Sequence, residues 1–394
     1  MRVLIIGGGI GGLAAAAALR ARGERVSVYE KSREYRDGGC GMTIWPNGML
    51  ALRRLGLDSR IADAGWPITQ AQIRRPDGDV ISVTPVEQVS RLAGAPTIAV
   101  HRAALQRTLA DPGIVPRVHF GKRCTGVLQE DEHVAAFFED GTAARGDLLL
   151  GADGLWSSVR DHVTGPQTPR HLGHALWRGV VSIDDPSLAA GCSFETWDRG
   201  ARFGMVQIDS RRAYWYAGLS DCPTGTLDMV RPALLERFGG WHSPIRAALV
   251  RTPQDQAVRT EIYDRPVPSR WHRGRVVLLG DAAHAMTHDL GQGACTAIED
   301  AVALADCIAG SRDLNRALAW YQRVRRARCA RLSAQSRRIT RICQLSSPLL
   351  CWARDTVTRL TPPNVLARGL RRTIGLLATP ANPARSSPAR RLPA

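Results

Sequence analysis

The sequence predicts a mixed α/β fold with a β-α-β domain, an inserted domain of mostly antiparallel strands, and helices at the carboxyl end. Three observations lead to this prediction. A glycine-rich turn follows the first apolar run and precedes an alanine-rich stretch. Residues 172–265 contain four tryptophans and short alternating runs, with few long helical periods. Residues 314–341 have the pattern and length of one long helix.

The elements are expected in the following order. Residues 1–30 indicate strand, glycine turn, helix and strand, and residues 41–57 indicate a loop and then a helix. An Asp-Gly turn in residues 72–83 predicts a hairpin. Further expectations are a helix at 101–110, strands at 116–128, 133–138 and 147–150, a return to α/β pattern at 276–300, and a partly helical end from Pro362 that is disordered beyond residue 379.

These elements predict two interleaved domains and a tail. The β-α-β domain is expected in three parts, at residues 1–71, 101–171 and 269–345. The inserted domain is expected as a hairpin within 72–100 and an antiparallel sheet within 172–268. Residues 346–394 would form a basic helical tail.

The composition is that of a globular protein with reduced thiols. Of the 394 residues, 44% are hydrophobic and 23% are charged, which is ordinary for folded domains. The nine cysteines are dispersed, odd in number, and form neither a C-x-x-C pair nor a zinc-spaced cluster. We therefore expect a cytoplasmic location and no metal site. The apolar residues 4–19 are interrupted by glycines and followed by arginines, which argues against a signal peptide or a membrane span.

Positive charge is concentrated near the carboxyl end. The formal net charge is +17, and residues 311–394 contain 18 arginines against Asp313 and Asp355. Such a segment could associate with an anionic membrane surface or an acidic carrier protein, whereas we expect no nucleic acid partner. The alternative is that these arginines only form the solvated face of the C-terminal helices.

The first motif predicts dinucleotide binding. Gly7, Gly9 and Gly12 form a G-x-G-x-x-G pattern between a strand and a helix, and Glu30 ends the next strand. Gly7 permits the tight turn, Gly9 lets backbone amides approach a pyrophosphate, and Gly12 lets helix and strand pack closely. Glu30 would accept hydrogen bonds from ribose hydroxyls. This motif alone does not distinguish NAD from FAD.

Two further glycine-lined strand ends follow. Residues 147–160, DLLLGADGLWSSVR, predict a buried strand that ends in Gly-Ala-Asp-Gly before a helix. Residues 276–286, VVLLGDAAHAM, predict another buried strand, and residues 291–293 begin the next helix. The apolar run before Asp281 predicts a buried carboxylate, which needs partners because desolvating an unpaired carboxylate is costly. We predict that the three strand ends converge on one elongated nucleotide.

In this order, and over most of the chain, the three motifs resemble the class A, single-component FAD-dependent monooxygenases with the p-hydroxybenzoate hydroxylase-like fold. The resemblance implies a Rossmann-like FAD-binding domain, with the antiparallel insert as the substrate domain. It also implies that NAD(P)H reduces FAD and that O2 forms a flavin C4a-hydroperoxide, which hydroxylates or epoxidises a small aromatic or electron-rich substrate. Without a second G-x-G-x-x-G pattern, NAD(P)H would dock transiently.

The resemblance assigns cofactor contacts. Asp281 would hydrogen-bond the ribityl chain of FAD, and the helix that starts near Gly293 would direct its positive end at the flavin. Arg102 would contact the cofactor, or else be an ordinary surface residue of its helix. The full set of expected cofactor residues is Gly7, Gly9, Gly11, Gly12, Glu30, Lys31, Thr43, Arg102, Cys124, Asp153, Asp281, Gly291, Gln292, Gly293, Ala294 and Cys295.

Residues 43–48, 177–179 and 201–218 are most similar to the subgroup of urate hydroxylases and zeaxanthin-epoxidase-like enzymes. This resemblance implies that Arg202 and Tyr214 position the substrate, the arginine at an anionic or carbonyl oxygen and the tyrosine against an aromatic ring. Their separation by 12 residues suits facing positions on a hairpin. The alternative is that both are ordinary strand residues packed on a core.

Two histidines and two rival functions complete the expectations. We interpret His284 as structural rather than as a catalytic base, and His288 departs from the proline or asparagine of many relatives, which leaves its role open.

One rival function is an FAD-dependent reductase or dehydrogenase of the same fold that inserts no oxygen. The other is a flavin-holding binding or membrane-docked protein in which the basic tail carries the function.

Overall fold

The computed structural model describes residues 1–35, 38, 40–115, 117–182, 188 and 190–375. The end of the expected tail, with its disorder beyond residue 379, and residue 116 of one expected strand lie outside these described residues. The domain limits stay predictions.

The described residues contain strands in four sheets. The strands are β1 (Arg2–Ile6), β2 (Arg25–Tyr29), β3 (Gly41–Ile44), β4 (Gly65–Pro67), β5 (Gln70–Arg74), β6 (Val80–Thr84), β7 (Ile98–His101), β8 (Val118–His119), β9 (Cys124–Gln129), β10 (Val134–Phe138), β11 (Ala143–Gly146), β12 (Leu148–Gly151), β13 (Arg170–Ser182), β14 (Cys192–Asp198), β15 (Ala201–Gln207), β16 (Arg212–Leu219), β17 (Ala257–Asp264), β18 (His272–Arg273) and β19 (Val276–Leu278).

The described residues also form thirteen α-helices. They are α1 (Ile10–Arg20), α2 (Pro46–Arg53), α3 (Asp58–Asp63), α4 (Val86–Ala93), α5 (Arg102–Leu109), α6 (Ser158–Thr164), α7 (Leu227–Phe238), α8 (Ile245–Arg251), α9 (Asp281–His284), α10 (Gly293–Ala309), α11 (Leu314–Cys343), α12 (Pro348–Leu360) and α13 (Pro363–Ile374).

A six-stranded sheet in the order β18-β19-β12-β1-β2-β8 carries the three glycine motifs. Its neighbours are parallel except β18 and β19, and β12 and β19 are wholly buried, as expected for parallel strands covered on both faces. The register pairs Ile6 with both Tyr29 and Gly151, and Gly151 with Leu278, so these strands end level with one another. The ends of β1, β12 and β19 therefore lie side by side as predicted, and their binding of one nucleotide stays a prediction.

Two small sheets flank this core, β3-β7-β4 and β11-β10-β9. The single strand expected at residues 116–128 is instead two, β8 and β9, which belong to different sheets. Gly121 lies between them with φ +71°, a left-handed conformation that ends an extended run and that glycine adopts without strain. The expectation missed this turn.

The largest sheet has seven strands in the order β17-β13-β16-β15-β14-β5-β6, and each pair is antiparallel except β14 and β5. One face packs on α7 and α8, where Phe203, Trp215 and Phe238 are fully buried. The sequence had predicted few helices here. Both helices are short and α7 contains Pro232, so their helical periodicity was too weak to recognise.

The carboxyl end is helical up to residue 374. The helix expected at residues 314–341 is α11, which ends two residues later at Cys343, and α12 and α13 follow it. Within the described residues, no helix combines the length and the apolar content needed to cross a bilayer.

Candidate active site

The glycine turn after β1 is shaped by close packing. A Cβ on Gly7, whose φ is +109°, would lie 2.2 Å from the Ala152 carbonyl oxygen, and a Cβ on Gly12 would lie 1.9 Å from the Gly7 carbonyl oxygen. A Cβ on Gly9 would meet nothing within 4 Å. The first and last glycines are therefore required by the fold. The open space at Gly9 is what a ligand needs to approach the backbone amides at the start of α1.

Glu30 braces this turn from the neighbouring strand end. Its Oε2 accepts a hydrogen bond from the Gly8 amide at 2.7 Å, and its Oε1 accepts one from the Ser32 amide at 2.8 Å. From α5, the Gln106 amide group donates to the Gly8 carbonyl at 3.0 Å. Sequence reasoning missed Gln106 because its partner is 98 residues away in the chain.

The second motif uses its acid to start a helix. Asp153 accepts hydrogen bonds from the Ser157 hydroxyl at 2.5 Å and from the Ser158 amide at 2.9 Å, at the first turn of α6. Burial raises the pKa of Asp153, and these hydrogen bonds partly offset the rise. Asp153 was expected to bind cofactor. In the structure its two carboxylate oxygens are engaged by α6, so a cofactor contact there stays a prediction.

Arg160 joins the second motif to the third. Its guanidinium, fully buried, donates to the carbonyls of Ala282 and Ala283 in α9 at 3.1 and 3.2 Å, and to the Pro266 carbonyl at 2.7 Å. Burial lowers the pKa of Arg160 to about 10. No carboxylate forms an ion pair with Arg160 within the described residues, so its role is to hold α9 by its backbone.

Asp281 lies at the start of α9, and its side chain is exposed rather than buried as the sequence predicted. The strand before it and residues 282–284 after it are buried, and Gly280, whose φ is +60°, turns the chain between them so that the Asp281 side chain alone is exposed. Among the described residues, no group donates a hydrogen bond to the Asp281 carboxylate. The protein atoms packed around the carboxyl desolvate it and raise its pKa, whereas His284 and Arg102 lower this pKa, and the side chain still has a surface that solvent reaches. The carboxylate is therefore available to a ligand, and Arg102 lies near enough to act on it.

A buried ionic cluster holds the Gly280–Asp281 turn and α9 in place. Asp300 of α10 accepts hydrogen bonds from the Gly280 amide at 3.2 Å, from His284 Nε2 at 2.5 Å and from Arg325 Nε at 2.7 Å. Burial lowers the pKa of His284, but the neighbouring Cys329 and Asp300 outweigh burial and hold this pKa well above its usual value. This arrangement agrees with a structural His284. The sequence signal for this buried cluster was the pair of acids, Glu299 and Asp300, within the otherwise apolar pattern of α10.

His284, Asp300 and Cys329 bring three ligand atoms within 4.8 Å of one another, a cluster that sequence spacing did not reveal. Both oxygens of Asp300 already accept hydrogen bonds from Arg325, His284 and Gly280. The three side chains are also closed off from solvent. We interpret the cluster as a polar core rather than as a metal site.

The loop before α10 forms the other side of the site. Gly291 has φ +60°, a Cβ on Gly293 would meet nothing within 4 Å, and Gln292 is fully buried. Asn47 donates to Gln292 Oε1 and to Glu299 Oε1, each at 3.0 Å, which fixes the first turn of α10. Cys295 lies under Trp45, whose backbone amide points to its sulfur at 3.3 Å, and burial raises the pKa of this thiol to about 12. The open backbone here can hold a second part of the ligand.

The other expected cofactor residues differ in their accessibility. Lys31 is exposed and Cys124 is buried, with its thiol directed at the Gly126 carbonyl. Thr43 is half-buried in β3, and Gly11 packs α1 on Leu279 and Ala297. Ala294 is half-buried in the first turn of α10. Of these positions, only Lys31, Thr43 and Ala294 have side chains that are not closed off from solvent, and the cofactor contacts of all of them stay predictions.

The face of the seven-stranded sheet that is turned away from α7 and α8 carries Tyr214, which packs in a buried cluster with Ala99 and beside Trp45. Register places Arg178 opposite Tyr216, and Val180 opposite Tyr214, so both tyrosines and Arg178 lie on the face turned away from α7 and α8. Arg178 is half-buried. Its Nη1 lies 3.8 Å from the Cys40 sulfur, and its Nε has no partner within the described residues. Burial raises the pKa of Tyr214 well above that of a free phenol, so its hydroxyl remains protonated.

Arg202 and Tyr214 share this face but do not face each other. Arg202 pairs with Gly218, and Tyr214 pairs with Val206, so they lie four residues apart along the strands. Tyr216 lies between them opposite Gly204, where a Cβ would be 2.2 Å from the tyrosine ring. The expected facing positions were wrong, because a 12-residue separation does not specify the length of the connection between β15 and β16.

Arg202 is engaged by protein groups. Its Nη1 lies 2.6 Å from Asp289 and 3.4 Å from Glu195, and its Nη2 lies 2.8 Å from His288 Nε2. Tyr216 donates its hydroxyl to Glu195 at 2.6 Å. The side chain of Arg202 is 1% exposed. The structure therefore attaches Arg202 to the loop that precedes Gly291.

His288 is kept neutral in this cluster. Burial lowers its pKa well below the usual value; Asp289 opposes this shift, while Arg202, Arg178 and His174 strengthen it. A neutral imidazole can accept the hydrogen bond from the Arg202 guanidinium through Nε2, and its Nδ1 then has no partner among the described residues.

Comparisons with known proteins agree with this geometry. The family described as "FAD binding domain" matches residues 1–336. The aurachin C monooxygenase/isomerase of Stigmatella aurantiaca is 40% identical over 91% of this chain and 94% of its own length. The FAD-dependent urate hydroxylase of Klebsiella pneumoniae is 36% identical over 86% of this chain and 89% of its own. The crystal structure of Klebsiella pneumoniae HpxO complexed with FAD and uric acid is similar with a TM-score of 0.89 and 32% identity, over 95% of this chain and 96% of that one.

Proposed function

The chain belongs to the FAD-binding-domain family of class A flavin monooxygenases, and from that membership we propose which of its residues hold the cofactor and the substrate. It is an FAD-dependent enzyme that uses NAD(P)H and O2 to oxygenate a small organic substrate. The relatives are monooxygenases, so a reductase function that inserts no oxygen is not favoured.

The residues present fit FAD. Gly9 and Gly293 leave open space beside the starts of α1 and α10, and Asp281 offers a carboxylate that no described group uses. We assign the ADP part to the turn 7–12 with Glu30, the ribityl chain to Asp281, and the flavin ring to the amides of residues 291–295. The N-terminus of α10 favours negative charge at the adjoining edge of the ring. Bound there, FAD supplies the oxygen chemistry.

The protein around the flavin has three tasks. Arg160 and Asp300 hold the Gly280–Asp281 turn from two sides, so that the carboxylate stays at one position. The sheet face with Tyr214 covers the reacting region and excludes water. Tyr214 can donate its phenolic proton to a substrate oxygen, since its raised pKa excludes the phenolate at neutral pH.

The single observation that carries the substrate proposal is the difference between Arg178 and Arg202. Both arginines have an Nε without a partner among the described residues. The terminal nitrogens of Arg202 contact Asp289, Glu195 and His288, whereas the Nη1 of Arg178, on the same face as Tyr214, contacts only the Cys40 sulfur at 3.8 Å within the described residues. We therefore assign Arg178 to the anionic or carbonyl oxygen of the substrate. Arg202 becomes a positioning residue for residues 287–292, which differs from the direct substrate contact expected from the resemblance.

We propose that the substrate is an electron-rich ring with an oxygen that an arginine can bind. This proposal rests on Arg178 and Tyr214, and on the name of a relative that hydroxylates urate. The test is a screen of purines, phenols and polyketide-like aromatics with the FAD-loaded enzyme, measuring stimulated NAD(P)H oxidation and, by mass spectrometry, the gain of one oxygen atom. An enzyme that carries FAD but shows neither response to any ring bearing such an oxygen would contradict the substrate proposal.

A further inference from the structure

The helix α12 presents its apolar side chains to solvent. Leu349, Trp352, Val357 and Leu360 are 71%, 62%, 66% and 75% exposed. Their spacing places them on one side of the helix, because residues three, four, seven and eight positions apart share a face. Such a helix normally turns this face inward. Its reversed orientation marks a contact surface rather than a scatter of surface residues.

Polar contacts fix this orientation. Arg354 is 7% exposed, and its guanidinium carbon lies 5.1 Å from the centre of the Trp197 ring. Asp355 accepts a hydrogen bond from Arg354 at 2.8 Å and lies 3.6 Å from Arg75. Arg359 forms an ion pair with Asp79. The polar side of α12 is therefore attached to the seven-stranded sheet, which leaves the apolar side outermost.

The helices before and after α12 in the chain carry exposed arginines. Residues 331–375 contain nine arginines and a single acid, the inward-facing Asp355. Arg338 and Arg341 at the end of α11 are exposed, as are Arg368, Arg371 and Arg372 in α13. Beside α13, a cavity of about 400 Å³ opens against α4, lined by Val89, Leu92 and Ile374 together with the three α13 arginines. The surface thus combines apolar side chains with a large excess of positive charge.

We propose that this surface, formed by the outer face of α12 and the arginines of α11 and α13, docks the enzyme on an anionic phospholipid bilayer. Leucine and tryptophan enter the boundary of the acyl region, and the surrounding guanidinium groups bind the lipid phosphates. The helix would lie in the plane of the interface and not cross the bilayer.

Charge argues against two other occupants of the face. A second copy of the chain would bring an equally basic surface against it, and like charges face to face repel. The chain's own residues 376–394 contain three arginines and no acid, so they carry no complementary charge either. A negatively charged lipid surface supplies the missing anions.

The experiment is co-sedimentation of the FAD-loaded full chain with vesicles at low and high salt. One set of vesicles contains equal parts phosphatidylcholine and phosphatidylglycerol, and the other contains phosphatidylcholine alone. We expect binding to the anionic vesicles that weakens as salt rises, and much weaker binding to the neutral ones. The double variant Trp352→Glu/Leu360→Glu should bind the anionic vesicles at least about tenfold more weakly, because two anchors are lost and two like charges are added.

Controls keep this test specific. Met229→Glu changes an apolar residue on α7 that is 74% exposed, and it should bind as the parent does. Arg371→Gln/Arg372→Gln should reduce binding to anionic vesicles only. FAD absorbance and circular dichroism check that each variant is folded.

Three outcomes would overturn the proposal. The first is a lack of binding to anionic vesicles at low salt. The second is equal binding by the parent and the Trp352→Glu/Leu360→Glu variant. The third is a dimer, seen by analytical ultracentrifugation, that the same variant dissociates, since this would show that a second copy covers the face.

Discussion

Arg202 and Asp289 form a buried ion pair, with Nη1 of the arginine 2.6 Å from Oδ1 of the aspartate and the two side chains 1% and 0% exposed. The pair joins β15 of the seven-stranded sheet to the loop that precedes α10. It therefore couples two parts of the chain that the sequence separates by 87 residues.

Removing the Arg202 guanidinium should lower the stability of the folded protein. We expect Arg202→Met to lower the free energy of unfolding by about 3–5 kcal/mol, because Asp289 would keep its buried charge without its main partner. Arg212→Met is the matched control on the next strand, where the pair with Asp209 is exposed and the loss should be below about 1 kcal/mol. Urea denaturation measures both. Equal, small losses would contradict the structural role of Arg202.

The neutral His288 predicts a loss of stability on the acid side. Its pKa is depressed in the folded state, so its contribution is present above the pKa of about 6.5 of an unfolded histidine and is lost as pH falls below that value. His284 has a raised pKa and acts in the opposite sense. Urea denaturation of the parent and of His288→Asn, at pH values from about 8 down to about 5, therefore measures how much stability each protein loses. The variant should lose less stability across this range than the parent does.

Asp281 should matter for the cofactor and not for the fold. We expect Asp281→Ala to weaken FAD binding by roughly 10- to 150-fold, the equivalent of about 1.5–3 kcal/mol for hydrogen bonds to a charged group. The unfolding free energy without FAD should stay within about 0.5 kcal/mol of the parent, since no described group bonds to this carboxylate. Fluorescence titration with FAD and denaturation of the apoprotein separate the two effects. A destabilised apoprotein would indicate that Asp281 has a structural role.

The glycines of the first turn should divide into two classes. Gly12→Ala places a methyl group 1.9 Å from the Gly7 carbonyl oxygen, and we expect it to cost about 3 kcal/mol or more of unfolding free energy. Gly9→Ala meets no atom within 4 Å and should leave the apoprotein stable, yet it should weaken FAD binding by obstructing the pyrophosphate. Thermal unfolding without FAD and titration with FAD give the two readouts. Normal FAD affinity in Gly9→Ala would argue against phosphate binding there.

Arg178 and Arg202 should differ in substrate kinetics. We expect Arg178→Gln to raise KM at least about tenfold for a substrate ring that bears an oxygen, with a smaller change in kcat. The reason is that the substitution removes a contact made in both the ground state and the transition state. FAD affinity and stability should be nearly unchanged. The matched variant Arg202→Gln should instead lose stability, as its partners are buried acids. If only Arg202→Gln raised KM, the result would contradict the role given to Arg178. It would support the direct contact between Arg202 and the substrate that the resemblance implied.

Much of the fold, with the glycine turns of the candidate site, could be predicted because the relevant signals are local. Gly7, Gly9 and Gly12 carry their constraint in spacing alone, and the apolar runs of β1, β12 and β19 are unbroken because both faces of these strands are covered. The long helix was recognised for the same reason. The errors occurred where one residue changes the chain direction, as at Gly121, and at Asp281, which turns outward after a buried strand.

The substrate side could not be predicted to the same depth. Which of Arg178 and Arg202 is free for a ligand depends on Asp289 and Glu195, which come from different segments. Gln106 supports the turn at residues 7–12, and Arg160 and Asp300 support the Gly280–Asp281 turn, likewise by contacts between distant segments. Short-range pattern records the conformation and burial that each segment prefers, so the three nucleotide-binding turns and their order follow from it. The partner of each buried charge, and the outward orientation of α12, follow only from how the segments pack, because a buried ion satisfies its hydrogen bonds with whichever groups the fold brings to it.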